Sequence, residues 1–133
     1  MLCIKTKIGP SAIEGIGLFA DEFIPVGTII WRFTPGFDLK FTAEDIQKFP
    51  DRVQLYMKKY MWLSKKSGKY CMASDDAKYF NHSSAPNTLS AYYDDEDEVV
   101  TKAIMDIHPG DELTDDYASF EMDFKEGEFG ILS

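Results

Sequence analysis

The stretch on which the reading of this chain turns is Tyr79-Phe80-Asn81-His82-Ser83-Ser84-Ala85-Pro86-Asn87. Asn, His, Ser, Pro and Asn in one short run are costly as filler, because their polar groups need partners once buried. Read alone, the run is either a polar turn holding a satisfied structural histidine or part of a site, and its surroundings have to decide. Downstream, Gly110-Asp111-Glu112-Leu113-Thr114-Asp115-Asp116-Tyr117 ends a short strand at a tyrosine beside carboxylates. Upstream, Glu14-Gly15-Ile16-Gly17-Leu18-Phe19-Ala20 places two glycines around Ile16, a spacing that serves a tight turn and also lets a backbone approach a ligand closely.

Each segment by itself could be an ordinary turn. Their order and separations resemble the SET-domain family of protein-lysine methyltransferases. Gly15-Ile16-Gly17 is similar to the family's first glycine motif. Asn81 to Asn87 matches its Asn-His-Ser-x-x-Pro-Asn motif, and Gly110 to Tyr117 resembles its Gly-x-Glu-Leu-Thr-x-Asp-Tyr motif. The resemblance runs from about Lys5 to Tyr117. It implies an α+β, mostly β fold of several small curved sheets, with a pseudoknot and a short helical insert at about 42–62. The whole of 1–133 then reads as one free-standing domain, with a core at 5–117 and a lid segment at 118–133.

The resemblance also implies a cofactor, S-adenosylmethionine, on one face and a substrate lysine entering by a narrow channel from the other. By position, the backbone around Gly15, Ile16 and Gly17 meets the methionine part of the cofactor. Asn81 and the backbone of His82 hold its amino and adenine ends, and Tyr117 sits where the two pockets meet, as the catalytic residue. Phe120 and Phe124 are the favoured aromatic cover for the adenine, with Phe129 also available after Tyr117. No Cys follows Cys71, so the cysteine-rich zinc cluster of some members is absent and no metal is expected. Methyl transfer from a sulfonium to an amine is an in-line displacement that asks for alignment and a dry, suitably polar channel.

Four positions depart from the family pattern. Thr28 to Gly36 offers Trp31, Phe33 and Thr34 where a tyrosine is usual, and Lys102 stands where Phe or Tyr often governs how many methyl groups are added. Ser84 replaces a common Cys, and Asp115 replaces a common Phe, adding charge next to Tyr117. These departures keep open a second reading, a catalytically inactive SET-like binding module. A third, a thiol hydrolase built on Cys71 and His82, lacks a nucleophile motif around Cys71.

Working further outward, Leu2, Ile4, Thr6 and Ile8 alternate with Cys3, Lys5 and Lys7 as in a strand that Gly9-Pro10 closes. Ile24 to Gly27 reads as a turn feeding a strand over Thr28 to Phe33. Thr42 is a helix N-cap candidate, and Pro50 breaks a helical segment running from about 43 to 61. In that segment Val53, Tyr56, Met57, Tyr60 and Met61 form a stripe of core type. Leu89 to Tyr93 and Val99 to Ile104 flank the acidic run Asp94 to Glu98 as a hairpin. Cys3 and Cys71 read as buried thiols.

The chain of 133 residues has 44% apolar side chains and a net charge of −9. Residues 94 to 133 hold 14 acids and 2 bases, while the rest is slightly basic. So acidic a chain is unsuited to coating a phosphate backbone, and a basic Lys-containing protein or peptide is the expected partner. No apolar run is long enough to span a bilayer and the N-terminus has no signal-peptide core, which suggests a soluble intracellular protein with no membrane partner. A domain this small could complete its substrate groove as a homodimer. The acidic run Asp94 to Glu98 is expected near the lysine entrance.

Overall fold

The computed structural model describes residues 1–119 together with Glu121 and Met122. Among the described residues eleven short strands and two α-helices follow one another. First come β1 (Thr6–Pro10), β2 (Ile16–Ala20), β3 (Ile29–Arg32) and β4 (Leu39–Phe41). Helices α1 (Ala43–Gln47) and α2 (Asp51–Tyr60) intervene before β5 (Trp62–Ser64) and β6 (Tyr70–Met72). A 3₁₀ turn at Asp76–Tyr79 leads into β7 (Asn81–His82), β8 (Thr88–Ala91) and β9 (Val100–Ala103). The described chain ends with β10 (Thr114–Asp115), a second 3₁₀ turn (Tyr117–Ser119) and β11 (Glu121–Met122).

The strands form four small sheets: β1-β2, β10-β7, β11-β5-β6-β4 and β3-β9-β8. All pairings are antiparallel except β10 with β7, which is parallel and sets Thr114 opposite Asn81 and Asp115 opposite His82. Parallel strands need a long crossover, here the chain from 83 to 113 that contains the β8-β9 hairpin. The core is divided in the same way. Leu18, Ile24, Ile30, Ile107 and Leu113 pack under the glycine segment, while Ile46, Met57, Met61, Leu63 and Tyr70 seat the helices on the four-stranded sheet. Between them, Trp31, Phe33, Cys71, Ala73 and Val99 form a third cluster against which Trp62, Phe80 and Tyr117 pack.

The helical insert follows its sequence signals. Thr42 accepts from the Asp45 N–H at 3.1 Å, and the Asp45 carboxylate accepts from the Thr42 N–H at 3.0 Å, a reciprocal cap. These bonds hold the Asp45 carboxyl below the usual carboxylate range. Pro50 then separates the helices, since it cannot continue α1 yet suits the start of α2. The buried Gln54 fixes the break by donating to the Phe49 carbonyl at 2.8 Å.

Three expectations change. The first strand does not stop before Gly9-Pro10 but runs through it, with Pro10 opposite Ile16 at the end of a two-stranded ladder, where a missing N–H is tolerated. Cys3 is exposed, because its backbone pairs with Ile30 beside β3 while its side chain lies on the outer side of the alternation. The α2 stripe is narrower than its spacing implied: Met57 and Met61 are buried, but Tyr56 is exposed and Tyr60 only half-buried.

Candidate functional site

Two neighbouring constructions meet at Tyr117. The first joins the three singled-out segments through Asn81. The start of β7 lies beside the turn between β1 and β2, so the Asn81 amide donates toward Glu112 Oε2 at 2.9 Å and Ser11 Oγ at 3.1 Å. It also lies 3.2 Å from the Glu14 carbonyl and 3.4 Å from that of Ile16. The Ser11 hydroxyl is 2.8 Å from both Glu112 carboxylate oxygens. Gly17 is required by this crowding, since a Cβ there would lie 2.6 Å from Glu112 Oε2. Gly15 has the opposite reason: its φ of +49° suits glycine, and the space around it is open.

Asn87 and His82 of the Asn81 to Asn87 run are also committed. Asn87 donates to the Glu112 carbonyl at 2.8 Å and accepts from the Thr114 N–H at 3.0 Å. His82 Nδ1 accepts from the Tyr117 N–H at 3.1 Å, so the ring proton of the neutral imidazole sits on Nε2. The two rings lie 5.3 Å apart between centroids. The Tyr117 hydroxyl donates to the Phe80 carbonyl.

The second construction is a cavity of about 130 Å³. Its aromatic walls include Trp31, Tyr60, Trp62, Phe80 and Tyr117, and the indoles of Trp31 and Trp62 meet edge-to-face at 5.6 Å. The buried indole N–H of Trp31 has no hydrogen-bond partner among the described residues. Ser90, Thr101 and Asp115 supply a buried polar patch in the same lining, and the more exposed Lys58, Lys59 and Lys78 are also part of it. Ser90 and Thr101 share a hydrogen bond of 2.7 Å, Ser90 donates to Asp115, and the Asp116 N–H donates to Asp115 at 2.8 Å. Burial outweighs these bonds and pushes the Asp115 carboxyl up to about 6. The Lys78 ammonium bonds the Tyr56 hydroxyl at 2.8 Å, which raises its pKa, and sits over the rings of Tyr56, Tyr60 and Tyr79.

Gly15, Ile16, Gly17, Asn81 and His82 are thus brought together outside the cavity lining, and Tyr117 belongs to both constructions through His82 and the cavity wall. Phe120 and Phe124 lie outside the described residues. The sequence reading missed Tyr60 and Trp62 as cavity walls, because at the end of an amphipathic helix they look like further core. The pairing of Tyr56 and Tyr60 with Lys58 and Lys59 was the available signal that this helix end is not simply buried. Lys102 is absent from the cavity lining and packs over the Tyr93 ring at 4.4 Å.

None of the acidic run Asp94 to Glu98 lines the cavity, although Val99, next to it, does. Glu96 pairs with Arg32 at 2.8 Å, and the buried Glu98 pairs with Lys40 at 3.0 Å and accepts from Ser64 at 2.5 Å. Among the described residues Asp115 is the acid that lines the cavity. Cys71 is buried and its thiol is pushed up to about 12, first by burial and then by Glu98, which leaves a thiol-hydrolase reading without a thiolate. Among the described residues no cluster of His, Cys, Asp and Glu could hold a metal ion, and no helix is long and apolar enough to cross a membrane.

Comparison with known proteins places this geometry. The sequence matches the SET domain family over residues 15–118. No curated protein matches it significantly. Among solved structures, a candidate histone methyltransferase of Plasmodium falciparum superposes with a TM-score of 0.61 at 21% identity, covering 86% of this chain and 93% of that one. Chaetomium thermophilum Polycomb Repressive Complex 2 bound to S-adenosylmethionine gives 0.68 at 22% identity. The same complex with H3K27me3 and H3K27M gives 0.64 at 24%. These two matches cover 90% and 86% of this chain but only 16% and 14% of the larger chains, and they speak for the fold.

Proposed function

Because the chain belongs to the SET-domain family, we propose that it is an S-adenosylmethionine-dependent methyltransferase acting on lysine side chains of a basic protein or peptide. The observation that carries this reading is the position of Tyr117, shared between an aromatic-walled cavity and the cluster built on Gly15, Gly17 and Asn81. The open space at Gly15 and the half-exposed Ile16 suit a cofactor lying along that backbone, so the residues present fit the group. When bound, S-adenosylmethionine supplies an electrophilic methyl group on a sulfonium. We propose that Gly15, Ile16, Gly17, Asn81 and His82 hold it, and that Phe120 and Phe124 of the 118–133 segment cover its adenine. The parallel β10-β7 pairing supports the threaded pseudoknot of the family pattern.

The chain's own residues then have defined tasks. Trp31, Tyr60, Trp62 and Tyr117 enclose the aliphatic stem of a lysine and exclude water. Desolvation there lowers the amine from its ordinary pKa of about 10.4 toward the neutral form that attacks. The Phe80 carbonyl fixes the Tyr117 hydroxyl, and His82 fixes its backbone, so the phenol is preorganised where positive charge moves toward nitrogen. Tyr117→Phe should lower kcat by about a hundredfold while changing cofactor affinity by less than about threefold. Equal turnover in the variant would remove Tyr117 from the chemistry. One observation favours a catalytically inactive binding module instead: the Tyr117 hydroxyl and the Asn81 amide are already satisfied within the chain. Cofactor binding by calorimetry without methylation of any protein in a lysate would select that reading.

A further inference from the structure

Asp115 stands out among the chain's acids. It is 3% exposed, it lines the cavity, and no Lys, Arg or His forms an ion pair with it among the described residues. Burying a carboxylate without a cationic partner is expensive, and Ser90, itself bonded to Thr101, and the Asp116 N–H offer it only neutral hydrogen bonds. The other buried acids lack this combination. Glu98 has Lys40, and Asp38 lies away from the cavity and accepts from the Thr34 and Ser74 backbone.

The geometry points to Asp115 as the residue that receives the cationic end of the acceptor side chain, its carboxylate pairing with the ammonium while the aliphatic stem lies between Trp31, Trp62 and Tyr117. The identity of the occupant as a lysine rests on the methyltransferase reading, whereas the cation site itself rests on the cavity. The charged and titratable groups that share the cavity lining with it are Lys58, Lys59 and Tyr60 of α2, Lys78 of the 3₁₀ turn, and Tyr117; Asp116, next in sequence, lies outside that lining. The three lysines are the more exposed part of this lining, so they oppose a cation at the mouth and leave Asp115, among the described residues, as its one anionic partner inside. Pairing also carries a cost for catalysis. A carboxylate holds the amine protonated, so Asp115 should lower KM for the acceptor while moving the rise of kcat to higher pH.

The test uses the full chain and two probes of nearly equal size, n-butylammonium chloride and 1-butanol, titrated by NMR into the wild type, Asp115→Asn and Ser90→Ala. The wild type should prefer the cation. Asp115→Asn should lose about tenfold in affinity for butylammonium and little for butanol, and Ser90→Ala, which keeps the carboxylate, should retain the preference. Equal loss for both probes, or no loss, overturns the assignment. Should Asp115→Asn fail to fold, the ¹³C titration of the Asp115 carboxyl in the wild type decides: butylammonium should move it to lower pH, and an unmoved titration overturns the proposal. A cation site that works in a protein transferring no methyl group would overturn the methyltransferase reading alone. Methyl transfer with an unchanged acceptor KM in Asp115→Asn would overturn the cation site alone.

Discussion

Replacing Gly17 by alanine tests the cluster that joins the three segments. An added Cβ would lie 2.6 Å from Glu112 Oε2, 2.9 Å from Glu112 Cδ and 3.0 Å from Ser11 Cβ. A flexible glutamate could normally swing aside, but this carboxylate is held by Ser11 at 2.8 Å and Asn81 at 2.9 Å. Moving it breaks charge-assisted hydrogen bonds worth roughly 1.5–3 kcal/mol each, and because Glu112 is half-buried, water recovers part of that loss. A net cost of about 2–3 kcal/mol is expected, within the usual range for overpacking. For a domain of this size that lowers Tm by about 8–12 °C. Gly15→Ala is the control: it meets no atom within 4 Å and carries only the strain of a φ of +49°, about 1–2 kcal/mol. Thermal and urea denaturation of both variants, with calorimetric titration of S-adenosylmethionine, would measure the difference. Gly17→Ala should be the less stable of the two and bind cofactor at least about tenfold more weakly than wild type. Stability within about 0.5 kcal/mol of wild type would refute the reasoning that the Asn81-Ser11-Glu112 cluster is rigid.

Asp115→Asn should be more stable than wild type at neutral pH, although it removes a buried hydrogen-bonding group. The folded state raises the Asp115 carboxyl from 3.8 to about 6, so it binds the proton more tightly than the unfolded chain. The wild type therefore loses roughly 3 kcal/mol as pH rises from about 4 to about 6, and the neutral variant keeps it. Urea midpoints at pH 3.5 and pH 8 check this, and a variant less stable at both would show that Asp115 serves structure. Iodoacetamide should modify the exposed Cys3 of the native protein and leave Cys71, buried and pushed up to about 12, unreacted until unfolding. Equal rates, followed by mass spectrometry, would contradict the burial of Cys71.

Much of this architecture was legible because its signals are local. Thr42 caps α1, Pro50 separates the two helices, and the segments flanking Asp94 to Glu98 pair as β8 and β9, as their patterns imply. The glycine, Asn-His and Tyr117 segments were legible as a set, and they do converge through Asn81, His82 and Glu112. What the pattern could not convey was which apolar residues line a cavity. Met57 and Tyr60 carry the same signal in sequence, yet Met57 is buried in the helix-sheet core while Tyr60 lines the cavity. Charge was no easier to place. Of the run expected near the lysine entrance, Glu98 turns inward to Lys40 and Ser64, while Asp115, one acid among several near Tyr117, lines the cavity.

The central claim, that this SET-domain chain methylates lysine, is tested most directly by incubating it with isotopically labelled S-adenosylmethionine and a protein lysate, then mapping labelled residues by mass spectrometry. The account predicts labelled methyl groups on lysine Nζ of basic proteins, strongly reduced with Tyr117→Phe. Undiminished labelling by that variant, or cofactor binding with no labelled lysine in any acceptor, would contradict it.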